Sequence, residues 1–339
     1  MLGGNFMVRI HNRRFACTAA LLAVLITGAQ AQTAVTFSLD FRALGRHAAW
    51  YVALDKGYYK QAGLDVTIIP SQGTAQAIQS VESGAAQFAF SDVAGLVAAR
   101  ANSAATAKMV AVIYQKAPYA IFSLRSGANL TKPEQLEGLE IASGAGSFTQ
   151  KVIEAFMTER GLKPSSVKFS NIDPSARVGM LASKNIRAIE TFAMSKPGVV
   201  KAVGEQEAQM FLLADYGLKL YSNGILVREA YLKSNPEQVR AFVKASLQGW
   251  RDALADPKAA AEIVAKHIKG LDPDVTLQEI AIVNDLVATP ETRAQGLGII
   301  DPAAMEASVD LITRNTGGAK VAAKDVYDAG FLPQPPIKP

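Results

Sequence analysis

Asp40, Phe41 and His47 fall within one stretch of eight residues, so a carboxylate, an aromatic ring and an imidazole are available side by side. A carboxylate accepts two N–H bonds and suits an amidine or aminopyrimidine edge. An imidazole can carry a proton near neutrality or serve as a polar contact. Trp50, three residues further on, offers a flat apolar face with an N–H at its rim, suited to stacking on a ring. Two later turns have different chemistry. Ser71, Gly73 and Thr74 place a hydroxyl and bare backbone N–H groups at a helix start, where carboxylate, sulfonate or phosphate can be held, and Ser143, Gly146, Ser147 and Phe148 repeat that arrangement. Asp92 follows Ser91 at another helix start, where capping its own helix and touching a ligand are compatible roles. Blander readings stand beside these: Asp40 ordering its loop, His47 a satisfied histidine on a helix face, Trp50 in the core. Arg42 and Arg46 could reach an acidic group, but loop arginines are expected in solvent.

The inventory for catalysis is short. There is no G-x-S-x-G elbow and no G-x-x-x-x-G-K-[ST] loop, and the run Gly144 to Thr149 lacks the third glycine of a dinucleotide fingerprint. His11, His47 and His267 have no metal-ligand spacing, and the single cysteine, Cys17, precedes an apolar run near the start of the chain. No enzyme activity, metal or cofactor is expected.

The elements that must position these residues are those of an α/β chain. Val35 to Leu39 alternates as a strand, and His47, Trp50, Tyr51 and Leu54 share a helical face that ends at Gly57, a natural helix stop. Val66 to Pro70, Gln87 to Phe90, Met109 to Tyr114 and Ala120 to Leu124 read as further strands, with helices over Ala75 to Glu82 and Val93 to Ala101. The polar candidates cluster just after strand ends, where open parallel sheets bind ligands. From Thr131 the same grammar begins again, with Leu139 to Ala142 as a strand and a helix from Phe148 to Arg160; a further helix starts at Asn171 to Ser175. Loop composition places crossovers at Leu124–Asn129 and Asp215–Asn223. Asn235-Pro236-Glu237-Gln238 has the composition of a capping box, opening a helix that buries Val239, Phe242, Val243, Leu247 and Trp250. Later helices are expected to wrap the first half, and the tail FLPQPPIKP to be partly free.

Arg9, Arg13 and Arg14, the apolar run Ala19 to Ile26 and the A-x-A site Ala29-Gln30-Ala31 read as a secretory signal over residues 1–31. Its removal takes three of the 35 basic residues and none of the 30 acidic ones, lowering the net charge from +5 to +2. No basic block long enough for nucleic acid remains, and no later run approaches a membrane helix. The expected division is 32–125 for a first lobe, 126–222 for a second, and 223–339 returning to the first.

The run DFRALGRHAAWYVALDKGYYKQAGLDVTIIPSQGTAQAIQSVESGAAQFAFSD, Asp40 to Asp92, resembles the periplasmic substrate-binding proteins of ABC importers, in the branch serving nitrate, taurine, other sulfonates and thiamine-precursor pyrimidines. The likeness continues through LEGLEIASGAGSFTQ and YGLKLYSNGILVREAYLKSNPEQVRAFVKASLQGW. It implies a two-lobed type 2 periplasmic binding protein fold, each lobe a mostly parallel sheet flanked by helices. It also implies a periplasmic monomer that captures a small-molecule ligand in the cleft and hands it to an ABC permease. Thiamine-precursor binders place an Asp beside an aromatic residue to receive a pyrimidine amino group, which points to Asp40 with Phe41. A sulfonate, nitrate or aromatic carboxylate held at the two helix starts is the alternative. Yeast pyrimidine-precursor synthases resemble the same stretch but carry a cysteine-rich iron-binding phrase, which this chain lacks. Arg187 stands where the family shows an Asp, so no contact is carried over from that phrase.

Overall fold

Strand formation follows the apolar runs and groups ten strands, among the described residues, into two separate sheets. The computed structural model describes residues 1, 3, 4, 32–144, 147–316 and 318–339; the apolar run and cleavage site of the expected signal, and Gly146, lie outside the described residues. The strands are β1 Thr33–Ser38, β2 Leu64–Ile69, β3 Phe88–Asp92, β4 Lys108–Val112, β5 Tyr119–Leu124, β6 Glu140–Ser143, β7 Lys168–Asn171, β8 Ala188–Phe192, β9 Ala208–Leu212 and β10 Asn223–Val227. One sheet has the order β2-β1-β3-β10-β4 and the other β7-β6-β8-β5-β9. In each, four strands run in one direction, and the fourth in the order given lies antiparallel to both of its neighbours: β10 in the first sheet and β5 in the second. Those two antiparallel strands are the ones that arrive from the other lobe.

This topology moves the first expected boundary. Tyr119–Leu124 belongs to the second sheet, so the first crossover is 113–118 and not Leu124–Asn129. Ser126 to Asn129 is instead a tight turn within the second lobe: Gly127 N and Asn129 N both donate to Leu124 O at 3.0 Å, and Asn129 has φ +43°. The second crossover spans 213–222. Three further corrections concern elements. Asn171 ends β7 rather than opening a helix, which starts at Arg177. β8 is an additional strand, in the stretch following Arg187. Asn235 does not cap the helix Pro236–Ala255, because only that residue separates it from the helix Glu229–Ser234; its amide turns back to Tyr231 O and Ser234 Oγ, while Gln238 accepts from Tyr231.

The first-lobe core is aromatic. Phe37, Trp50, Phe88, Phe90, Phe242 and Trp250 are buried, with Trp50 4.8 Å from Phe37, 5.1 Å from Phe90 and 5.4 Å from Trp250 between centroids, spacings typical of favourable ring pairs. The late helices do more than wrap this lobe. Pro273–Val287 also reaches the second lobe, where Ile282 packs against its core and Asp272 pairs with Lys201. The tail is docked rather than free: Phe331 is buried beneath Arg240, Leu297 N donates to Ile337 O at 2.7 Å, and Gly296 lies against Pro336. Deleting residues 335–339 is therefore expected to cost about 1–2 kcal/mol, a lost backbone hydrogen bond plus packing, read as a lower urea midpoint at unchanged slope.

Candidate functional site

A cavity of about 750 Å³ lies between the sheets, at the strand ends where the sequence places its polar residues. Asp40, Phe41, Gly73, Thr74 and Asp92 line it from the first lobe, and Ser147 and Phe148 from the second. Arg46, Arg177, Glu190, Phe192 and Glu279 line it too. Phe41, Phe148 and Phe192 are partly exposed, so these rings, and not Trp50, present aromatic surface to the cavity.

Asp40 is 5% exposed and sits at the centre of a fixed network. Its Oδ1 is 2.7 Å from His47 Nε2, and its Oδ2 accepts from Asn223 Nδ2 at 2.9 Å. The His47 tautomer follows from its other nitrogen. Leu44 N–H donates to Nδ1 at 3.0 Å, so Nδ1 carries a lone pair and the ring proton sits on Nε2, directed at Asp40. Burial lowers the His47 pKa and outweighs the pull of Asp40, keeping the ring neutral. For Asp40, burial pushes the carboxyl up, but Arg46, His47 and Asn223 together outweigh it and hold it below its ordinary value. It is therefore an ionised acceptor with about four lone-pair directions, of which two are taken inside the protein. His47 is fully buried and lies behind Asp40, outside the cavity lining.

The loop Gly45–His47 depends on a close approach. A Cβ on Gly45 would meet Glu279 Oε2 and the Thr276 backbone at 2.9 Å. Glu279, whose carboxyl is pushed up by burial and pulled back by Arg46, accepts from Arg46 N at 3.3 Å.

Asp92 spends all of its acceptor capacity. Oδ1 takes Ala94 N at 2.7 Å and Gly95 N at 3.3 Å, capping the helix Val93–Asn102; Oδ2 takes Tyr119 Oη at 2.5 Å and Ser222 Oγ at 2.7 Å. Burial raises its pKa against these four donors. Asp92 touches the cavity but has no lone pair left to offer, so capping accounts for it. Gly95 lets the lobes meet here, since a Cβ would fall 2.3 Å from Thr74 Cγ2 and 2.9 Å from the Phe148 ring.

The two helix starts differ. Gly73, with φ +136° that only glycine adopts readily, precedes the helix Thr74–Glu82 and caps it with no side chain; Gly73, Thr74, Ala75 and Gln76 all face the cavity. Ser71 is buried and closes that turn by bonding Gly73, without reaching the cavity. In the second lobe Ser147 caps the helix Phe148–Thr158, and a protein carboxylate already occupies the mouth. Glu190 Oε1 accepts from Ser143 Oγ at 2.9 Å, Ser147 Oγ at 3.0 Å and Arg177 Nη1 at 2.7 Å. Ser143 is consequently buried and outside the lining.

The structure thus corrects Trp50, His47, Ser71 and Ser143 as wall residues, each for a stated packing or bonding reason. Glu190, Arg177, Phe192 and Asn223 are residues that sequence reasoning missed. One signal was available: a glutamate inside the short run Ala188-Ile189-Glu190-Thr191-Phe192 must be paired if buried, which marks it for a special site.

Two sheets of matching topology, joined by paired crossovers at the floor of a cleft, define the type 2 periplasmic binding protein fold. The alkanesulfonate-binding protein of Xanthomonas axonopodis pv. citri, solved with MOPS bound, shares it with a TM-score of 0.68 at 15% identity over 88% of this chain and 98% of that one. The NMT1/THI5-like family model matches residues 45–260, and the chain belongs to that family. A riboflavin-binding protein from Chloroflexus aurantiacus is 30% identical over 279 residues, 79% of this chain and 76% of the relative. A formylaminopyrimidine-binding protein from Halalkalibacterium halodurans is 23% identical over 74% of this chain and 78% of the relative.

Proposed function

We propose that this protein is the solute-binding component of an ABC import system, a monomer that works in the periplasm, closes on a planar nitrogen heteroaromatic and delivers it to a membrane permease. The observation that carries the ligand class is the ionised, buried Asp40, with lone pairs left for the cavity and partly exposed rings of Phe41 and Phe192 nearby. Such a carboxylate receives ring-edge N–H or amino donors. The names of the two relatives, riboflavin and formylaminopyrimidine binders, both denote ligands built on such rings. A cavity of about 750 Å³ has room for more than one ring, as pockets of roughly 300–1,000 Å³ take drug-sized ligands.

The sulfonate, nitrate and carboxylate alternative is weaker because Glu190 already supplies the negative charge at the second-lobe helix mouth. A second anion there would face a carboxylate bonded to both serines. The synthase alternative is weaker because His47 is shielded behind Asp40 and the only cysteine of the chain is Cys17.

Thermal unfolding with riboflavin, a formylaminopyrimidine, taurine and nitrate tests the reading, alongside mass spectrometry of any co-purifying solute. A ring ligand is expected to raise stability by about 2.7 kcal/mol at one hundred times its Kd and to be recovered unchanged. Stabilisation by taurine or nitrate alone would reverse the ligand class.

A further inference from the structure

Arg46 lines the cavity with a side chain that is 8% exposed, yet among the described residues its guanidinium makes no hydrogen bond to the protein. Nε is buried without a partner. Nη2 stands 3.8 Å from Asp40 Oδ2, too far for a hydrogen bond, and that oxygen already accepts from Asn223. The rings of Phe41 and Phe192, one from each lobe, lie 5.6 and 6.0 Å from Cζ and hold the group by cation–π attraction. The backbone of Arg46 is anchored separately on Glu279. Arg177 shares a buried Nε without a partner but differs at its tip, where Nη1 donates to both the side chain and the backbone carbonyl of Glu190. A guanidinium carries five donors, and buried donors left without acceptors cost free energy that native structures ordinarily avoid.

We propose that Arg46 is a specificity-determining residue that donates to an acceptor on the ligand, at the ring position next to the donor received by Asp40. Resting on the ring-ligand reading above, this narrows the ligand to rings with an adjacent donor and acceptor: an amino group beside a ring nitrogen, or a ring N–H beside a carbonyl. Aminopyrimidines, pterins and flavins have such an edge; simple aromatic amines do not. The Asp40 and Arg46 groups lie close enough to address neighbouring positions on one edge, and the flanking Phe41 and Phe192 rings suit the faces of the same ring.

Calorimetric titration of wild type and Arg46→Met with 4-amino-2-methylpyrimidine and its carbocyclic isostere 3-methylaniline tests this. Both probes present the same amino group to Asp40, so any change in Asp40 cancels in the ratio of their affinities. The wild type is expected to prefer the pyrimidine by about 10- to 100-fold, and Arg46→Met to bring the two within about threefold. Arg46→Gln, closer in shape, guards against a folding failure of the Met variant and should lose at least half of the preference on a logarithmic scale. A preference that survives both substitutions, or equal binding of the two probes by wild type, overturns the assignment of Arg46 alone. Binding of neither probe by wild type overturns the ring-ligand reading, and this assignment with it.

Discussion

Arg177→Met is expected to destabilise the protein by about 3–5 kcal/mol, because it leaves a charge buried without its counter-ion. Glu190 has a side chain only 3% exposed and Arg177 one of 11%, so water can replace little of what is lost. The substitution removes two contacts of Nη1, 2.7 Å to Oε1 and 2.6 Å to the Glu190 carbonyl. The two serine hydroxyls remain, but they are neutral donors. Chemical denaturation of the single variants and of Arg177→Met combined with Glu190→Met checks the account. The double variant should recover most of the stability, since neither partner is then stranded, and a single-variant loss below about 1 kcal/mol would show that the pair is not what organises this wall.

Asp40→Asn should weaken ring-ligand binding by about 2–4 kcal/mol, roughly 30- to 1,000-fold, by removing a charge-assisted acceptor and setting an N–H₂ among donors. It should also cost fold stability, which sequence alone gives no reason to expect. Both oxygens face donors, His47 Nε2–H and Asn223 Nδ2–H, so an amide nitrogen in either place meets an N–H. The pH dependence has a definite sign. Asp40 is depressed in the folded state, so its contribution is complete above the ordinary carboxylate value of about 3.9 and fades as pH falls through the folded value. Buried neutral His47 acts in the same direction, since below about 6.5 the unfolded chain takes up the proton first. Calorimetry with riboflavin and unfolding curves from pH 7 to pH 3 measure both effects. Tighter binding by the variant would sink the role given to Asp40, and a stability gap that widens in acid would contradict the linkage.

What the sequence made legible was mostly periodic. The stripe Val239, Phe242, Val243, Leu247 and Trp250 could be placed because a helix repeats every 3.6 residues, and all five are buried. The strand-end position of Asp40 was legible for the same kind of reason. The first crossover was not: Ser126 to Asn129 has the composition of a linker but makes a local turn, whereas Ile113, Tyr114 and Ala117, in the true crossover, are buried and look like core. Nor could spacing reveal that Asn223, 183 residues away, fixes one oxygen of Asp40. Trp50 is consumed by the core while Phe192, given no role from sequence, lines the cavity, because aromatic type does not say which ring the core takes. Arg46 looked like a solvent-facing loop residue until the helix Pro273–Val287 was seen to close over its backbone.

The Asp92 carboxylate ties together a first-lobe helix, the first residue of β5 and the last residue of the second crossover. If the lobes close on a solute as proposed, this carboxylate is placed to serve as the fulcrum. A turn of one lobe on the other displaces each atom in proportion to its distance from such a pivot, so groups near it keep their geometry while the lips sweep. Asp40 accepts from Asn223, the chain neighbour of the Ser222 that donates to Asp92, so it would belong to the stationary part, and the exposed lining residues Gln76 and Asp173 to the travelling part. Recognition of the ring edge would then be complete before the cleft shuts. Substitutions at the lips should alter chiefly how long the solute stays, and those at the pivot how well it is told apart from its imitators.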